Sequence, residues 1–205
     1  MEPKLVRVPE AADIAKAVAN TPRAGISAKT HEEHLKLWQG YANKTNAIRK
    51  ALAEMNPDPA AANQIYSEIR ALKANYAFAL GGYKNHNVYF ETLGGSGGPA
   101  TGNVARLIDE AFGSFDRWAA DWKATGIGGR GWAHLAYDHE EGRLFNYLGD
   151  SQDTFPQWGN TLVLAMDVYE HAYYLDFQTA RGKYIDAYMQ VIDWEAVNGR
   201  LAKAM

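Results

Sequence analysis

Asp167 and His171 stand four residues apart at the end of the apolar run Leu162-Val163-Leu164-Ala165-Met166. A carboxylate and an imidazole delivered together are borderline-hard ligands, suited to iron, manganese or zinc. The same spacing also serves an ordinary hydrogen bond or a solvated turn, so further ligands must decide. His34 lies on an apolar helical stripe and His86 near the end of a second helix. Joined to Asp167 and His171, they would form a His3Asp set drawn from both halves of the chain, with a metal held between them. His31 is one turn before His34 and competes for the ligand role, although Glu32 and Glu33 beside it point to an exposed face. His134 alternates with Trp132, shares its strand face, and could support the site from behind. His139 falls in a polar turn and is expected to be solvated. The chain has no cysteine, which removes thiolate metal sites, disulfides and cysteine nucleophiles.

The elements that must carry these residues can be read from periodicity and breakers. Thr30, with Glu33 three residues on, has the form of a capping box, and His34, Leu37, Trp38, Tyr41, Thr45 and Ile48 follow at three- and four-residue steps. This predicts a helix to about Met55, ended by Asn56-Pro57-Asp58-Pro59. A second helix from Pro59 or Ala60 towards Phe90 would present Ile65, Ile69, Leu72, Tyr76 and Leu80 on one face, closing an antiparallel hairpin. The tract Gly94-Gly95-Ser96-Gly97-Gly98-Pro99 then divides the chain. Beyond it, residues 103–122 read as one helix with Leu107, Phe112, Phe115 and Trp118 inward. Residues 131–137 and 143–148 read as strands around the turn 138–142, and residues 160–166 as the strand that delivers Asp167. Two helices close the chain, over 173–192 with a break near Gly182, then 193–203. The expected fold is α+β: an N-terminal antiparallel helical hairpin followed by an α/β domain with a three-stranded antiparallel sheet. Its expected division is an extension over 1–25, the hairpin over 26–93, a glycine-rich linker over 94–102 and the α/β domain over 103–205.

Composition sets the setting. A chain of 205 residues can bury a sizeable core, and six Trp with twelve Tyr indicate a core built on large rings. The formal net charge is -3 with scattered basic residues, so neither nucleic acid nor an anionic membrane is an expected partner. Residues 1–25 carry Lys4, Arg7, Glu10, Asp13 and Lys16 without an unbroken apolar segment, which fits neither a secretory signal nor an anchor; the expected location is the cytoplasm.

Several ordered motifs now converge. Asp167-Val168-Tyr169-Glu170-His171-Ala172-Tyr173-Tyr174 resembles the Asp-x-Trp-Glu-His-Ala-Tyr-Tyr signature of the iron/manganese superoxide dismutases, with Tyr in place of Trp at 169. Asn85-His86-Asn87-Val88-Tyr89-Phe90 resembles that family's second ligand motif, Asn-His followed by an aromatic pair. Gly129-Arg130-Gly131-Trp132 is similar to its Gly-Ser-Gly-Trp, and Ala111-Phe112-Gly113-Ser114-Phe115 to its Ala-Phe-Gly-Ser-Phe. The likeness runs from about Ile26 to the C-terminus. It departs at the first helix, where members carry a His-His pair after the ligand and a Tyr eight residues beyond it. Here Leu37 and Trp38 follow His34, and Tyr41 stands only seven residues on; the eight-residue spacing would instead put Glu33 at the ligand position.

The resemblance implies a superoxide dismutase that converts superoxide to dioxygen and hydrogen peroxide by redox cycling of one Mn or Fe per subunit, held by His34, His86, Asp167 and His171. It implies Tyr41 as the gateway phenol and Trp132 as a ring walling the pocket. The hydrogen-bond donor that tunes the potential comes from Gln152, at the manganese-type position, because the iron-type position is Gly82; this favours Mn. Glu170 is expected to cross a subunit interface to the partner's ligand histidine in a homodimer or homotetramer, with Tyr174 at the same interface. A non-redox metal-binding or interaction protein on the same scaffold is the alternative, kept open by the altered first motif. A zinc hydrolase is a third reading, weakened because no additional general base is in evidence.

Overall fold

The computed structural model describes residues 2–154 and 159–205. The segment before the first long helix is built from a short 3-10 turn at Ala11–Ile14, α1 (Ala15–Asn20) and a second 3-10 turn at Pro22–Ala24. The hairpin follows as α2 (Ala28–Glu54) and α3 (Glu68–Glu91), packed against each other. Then come α4 (Gly102–Phe112), α5 (Phe115–Gly128), β1 (Trp132–Asp138), β2 (Arg143–Gly149), β3 (Asn160–Asp167), α6 (Tyr174–Phe177), α7 (Arg181–Met189) and α8 (Trp194–Ala204). The α+β architecture, hairpin first and three-stranded antiparallel sheet second, is the one expected.

The sheet has the order β2-β1-β3, with β1 central and both neighbours antiparallel. Trp132 pairs with Asp167 across β1 and β3, and a bulge between Leu135 and Ala136 shifts the register further along. The pairing places Trp132 and Asp167 side by side at one end of the sheet. α3 and α8 pack on β3, while α4 and α5 pack on β2. Trp118, Trp122, Trp132, Tyr89, Tyr184 and Tyr188 are the largest wholly buried side chains, so the aromatic core anticipated from composition is realised.

Several boundaries differ from expectation, each for a local reason. α2 begins three residues early because Ser27, not Thr30, is the N-cap, its hydroxyl accepting from the Thr30 amide N–H. Thr30 is buried inside the first turn, where its hydroxyl donates to Asp176. Leu37, expected inward, is 41% exposed. α3 does not start at Pro59: that proline opens only the 3-10 turn Pro59–Ala61, and Ser67 caps the true helix by accepting from the Arg70 N–H. Ile65 therefore lies outside the helix and is 86% exposed, and the two long helices are joined by an extended connection rather than a short proline turn. The single helix over 103–122 is two, because Gly113 at φ 86 terminates α4 and Ser114 caps α5. The closing break comes at Gln178, at φ 48, and not at Gly182, which lies within α7.

The N-terminal segment is pinned to the body at several points. Arg49 donates to the Lys4 carbonyl, Asn46 and the Val6 backbone bond each other in both directions, and Gln39 donates to the Pro9 carbonyl. Lys16 pairs with Asp193, and Arg23 donates to the Gly95 and Gln190 carbonyls at 2.6 and 2.7 Å. The glycine tract is itself bonded to the α7–α8 junction: the Gly94 and Gly95 amides donate to the Val191 carbonyl and Gly97 to that of Ile192.

Candidate metal centre

Four side chains from four places converge at the end of the sheet. His34 comes from the second turn of α2, His86 from the last turns of α3, Asp167 from the last residue of β3, and His171 from the 3-10 turn Glu170–Ala172. One ligand atom from each lies within 4.8 Å of every other. The convergence centres on Asp167 Oδ2, which is 3.1 Å from His34 Nε2, 3.1 Å from His171 Nε2 and 3.5 Å from His86 Nε2. His34, His86 and Asp167 are wholly buried, and His171 keeps a partly exposed edge. The two-residue signal at 167 and 171 thus joins the two histidines expected to complete it.

The surrounding bonds fix how these groups point. The His86 Nδ1–H donates to the Gly82 carbonyl at 2.7 Å, so its proton is on Nδ1 and its Nε2 lone pair faces the cluster without a hydrogen-bond partner. A buried, unpaired imidazole lone pair beside two further imidazoles and one carboxylate is a donor set that fits iron or manganese. Asp167 is held by the Tyr169 amide N–H on Oδ1 at 2.9 Å and by the Tyr184 hydroxyl on its carbonyl at 2.8 Å. Burial disfavours its charge, but the surrounding histidines outweigh that and hold the carboxyl well below the usual range. For His171, burial pulls the pKa down and Asp167 more than restores it, a net rise. Burial lowers the pKa of His34 despite the Asp167 bond and brings His86 down to about 3.

Around this cluster lie the other expected residues. Trp132 is buried, its ring 5.2 Å from His86, and its Nε1–H donates to Gln152 Oε1 at 3.1 Å. Tyr41 packs 5.3 Å from the His86 ring. Burial raises the Tyr41 pKa, Asp167 adds to the rise, and a hydrogen bond with Gln152 opposes it. Gly82 has no room for a side chain, since a Cβ there would sit 2.6 Å from the Tyr41 ring. Tyr169 stacks on His171 at 5.4 Å. Glu170 is exposed at the head of its 3-10 turn, and its side chain makes no hydrogen bond or ion pair among the described residues.

One histidine is placed otherwise than the sequence suggested. His31 is wholly buried despite Glu32 and Glu33, because the N-terminal segment covers that side of α2. Its Nε2 lies 2.6 Å from the Thr21 hydroxyl, away from the cluster, whereas Glu33 pairs with Lys29 and Lys36 at the surface. His134 is buried and stacks on Trp132 at 5.7 Å and 10°, so it supports that ring and does not reach the cluster. His139, as expected, is exposed. Sequence reasoning missed Tyr184, Tyr89 and Gly81. The first two come from α7 and α3 and touch Asp167 and His34 only through the tertiary fold. The Gly81-Gly82 pair inside a helix was the available signal for a close approach.

A C-terminal-domain family model of the iron/manganese superoxide dismutases matches residues 100–200. Over 185 residues the chain is 39% identical to a superoxide dismutase [Fe] of Aquifex aeolicus, covering 88% of this chain and 86% of that one. Over 183 residues it is 36% identical to a superoxide dismutase [Mn] of Mycolicibacterium smegmatis, covering 87% and 86%. The chain belongs to the iron/manganese superoxide dismutase family. Relatives carrying either metal name stand at similar identity, so iron or manganese is the cofactor class. No helix among the described residues of this dismutase-family chain is long and apolar enough to cross a membrane.

The buried histidines make the metal-free protein sensitive to acid. His31, His86 and His134 are held by burial near 4, 3 and 3, while the same residues in the unfolded chain protonate near 6.5. Between those values the unfolded state binds the extra protons, so stability falls with falling pH, by roughly 1.4 kcal/mol per pH unit for each histidine. Urea midpoints of the metal-stripped protein should therefore drop between pH 7 and pH 5. Equal midpoints at the two pH values would show that these rings are already solvated.

Proposed function

We propose that the chain is a superoxide dismutase whose single metal ion is held by His34, His86, Asp167 and His171. The observation that carries this is the buried convergence of four ligand atoms within 4.8 Å in a member of this family. Iron or manganese held by these residues would supply one-electron redox chemistry between successive superoxides. The protein's own part is positioning and proton supply. Burial keeps the Tyr41 phenol protonated, and Gln152 ties it to the Trp132 ring through hydrogen bonds with both. Of these three groups the Tyr41 phenol is the one that can give a proton to reduced substrate, with Gln152 orienting it and the Trp132 ring excluding bulk water beside His86. The first helix lacks the usual His-His pair, so Tyr41 and Gln152 carry this role without it.

Manganese is the favoured ion in this proposal, since Gln152 reaches the site and Gly82 offers no side chain. Glu170, exposed and unpaired among the described residues, serves the partner's His171 in a homodimer. The decisive test is metal analysis joined to a superoxide-dismutation assay after reconstitution with Mn or Fe. Activity with either ion is expected, and a protein that stays inactive with both is the non-redox binder. His171→Ala should abolish metal retention in the same assay. Full metal occupancy in that variant would show that the ligand set is wrong.

A further inference from the structure

The helix that carries the first ligand buries two histidines on successive turns, His31 and His34. The Thr21 hydroxyl has one proton and faces the Ala17 and Ile26 carbonyls at 3.0 and 2.9 Å. With that proton given to a carbonyl, the Thr21 oxygen accepts from the His31 Nε2–H at 2.6 Å, which leaves a lone pair on Nδ1. That Nδ1 is buried with no hydrogen-bond partner among the described residues. His34 turns Nε2 to the cluster, and an imidazole that gives its Nε2 lone pair to a metal carries its proton on Nδ1. The His34 Nδ1 is likewise buried and without a partner among the described residues. The Phe90 ring lies 6.0 Å from the first imidazole and 5.1 Å from the second, shielding both from bulk water.

A lone pair and an N–H, both buried and both unsatisfied among the described residues, thus stand one turn apart on one helix. Metal-bound histidines almost always donate their second N–H to an acceptor that fixes the ring, as His86 does to Gly82. We propose that His31 is that acceptor for His34, receiving the His34 Nδ1–H through one buried water when metal is bound. Thr21, His31 and His34 then form a single hydrogen-bonded line from the N-terminal segment to the metal, and His31 is a positioning residue. The inference rests on the ligand set proposed above.

The test compares metal release into a chelator from the loaded parent, His31→Leu and His31→Gln. The Leu variant keeps the volume but offers no acceptor, and should release metal about 10-fold faster. The Gln variant restores a carbonyl acceptor and an N–H for Thr21, and should return to within a few-fold of the parent. Parent-like release in His31→Leu, or equal release in the two variants, overturns the role of His31 and leaves the ligand set standing. A parent that takes up no metal overturns the ligand set itself. Should His31→Leu not fold, zinc-loaded protein labelled at histidine gives an independent reading. A slowly exchanging His34 Nδ1 proton that shifts on Thr21→Val is expected, and a rapidly exchanging or unshifted one refutes the line.

Discussion

Asp167→Ala should strip the centre of its metal while leaving the sheet folded. Asp167 is the one anion among three imidazoles, and each approaches its Oδ2 within 3.5 Å. Even a partner that merely supports a ligand costs roughly 10–100-fold in metal affinity when lost, so removal of a ligand that also supplies the charge should exceed about 100-fold. Dismutation should fall with occupancy. The variant also leaves the Tyr169 amide without its acceptor, at a cost of about 1–3 kcal/mol in the metal-free protein. Asp167→Asn separates the two effects, because it keeps an oxygen for Tyr169 and loses only the charge. It should regain stability but not metal. Stoichiometric metal in Asp167→Asn, measured by elemental analysis beside the melting temperature, would show that the carboxylate's charge is dispensable.

What the sequence made legible follows from how local each signal is. Asp167 and His171 were readable because strand, turn and ligand lie within a dozen residues, and the structure keeps them together on Asp167 Oδ2. His86 and Trp132 were readable through short motifs whose glycines and aromatics have fixed neighbours. His31 was misread because its burial comes from residues 11–26, a segment with too little periodicity to announce that it would fold over α2. The helix starts were missed for a related reason. Ser27, Ser67 and Ser114 each cap through their hydroxyl, but Thr30 and Pro59 offered rival start signals, and only tertiary contacts decide between them. Thr30 was drawn into the helix because Asp176, on α6, takes its hydroxyl.

Gly81→Ala should cost activity without costing metal, because it acts on Gln152 and touches none of the four ligands. Glycine in the middle of a helix is destabilising by about 1 kcal/mol relative to alanine, so Gly81 within α3 needs a reason. A Cβ at 81 would stand 2.0 Å from the Gln152 carbonyl oxygen and 2.8 Å from its carbon. Both are backbone atoms that cannot swing aside, so the whole turn carrying Gln152 must retreat. The same carbonyl accepts from Asn85, and the Gln152 side chain holds Trp132. A displacement near 1 Å of a positioning group costs roughly 100-fold in rate, and overpacking costs about 1–3 kcal/mol in stability. Gly40→Ala is the matched control, since a Cβ there meets nothing within 4 Å, and it should gain up to about 1 kcal/mol with unchanged turnover. Steady-state rates normalised to bound metal, with melting temperatures for both variants, make the comparison. Parent-like turnover per metal in Gly81→Ala would mean that Gln152 does not act on the reaction, and proton supply by a Tyr41 that Gln152 orients would have to be abandoned.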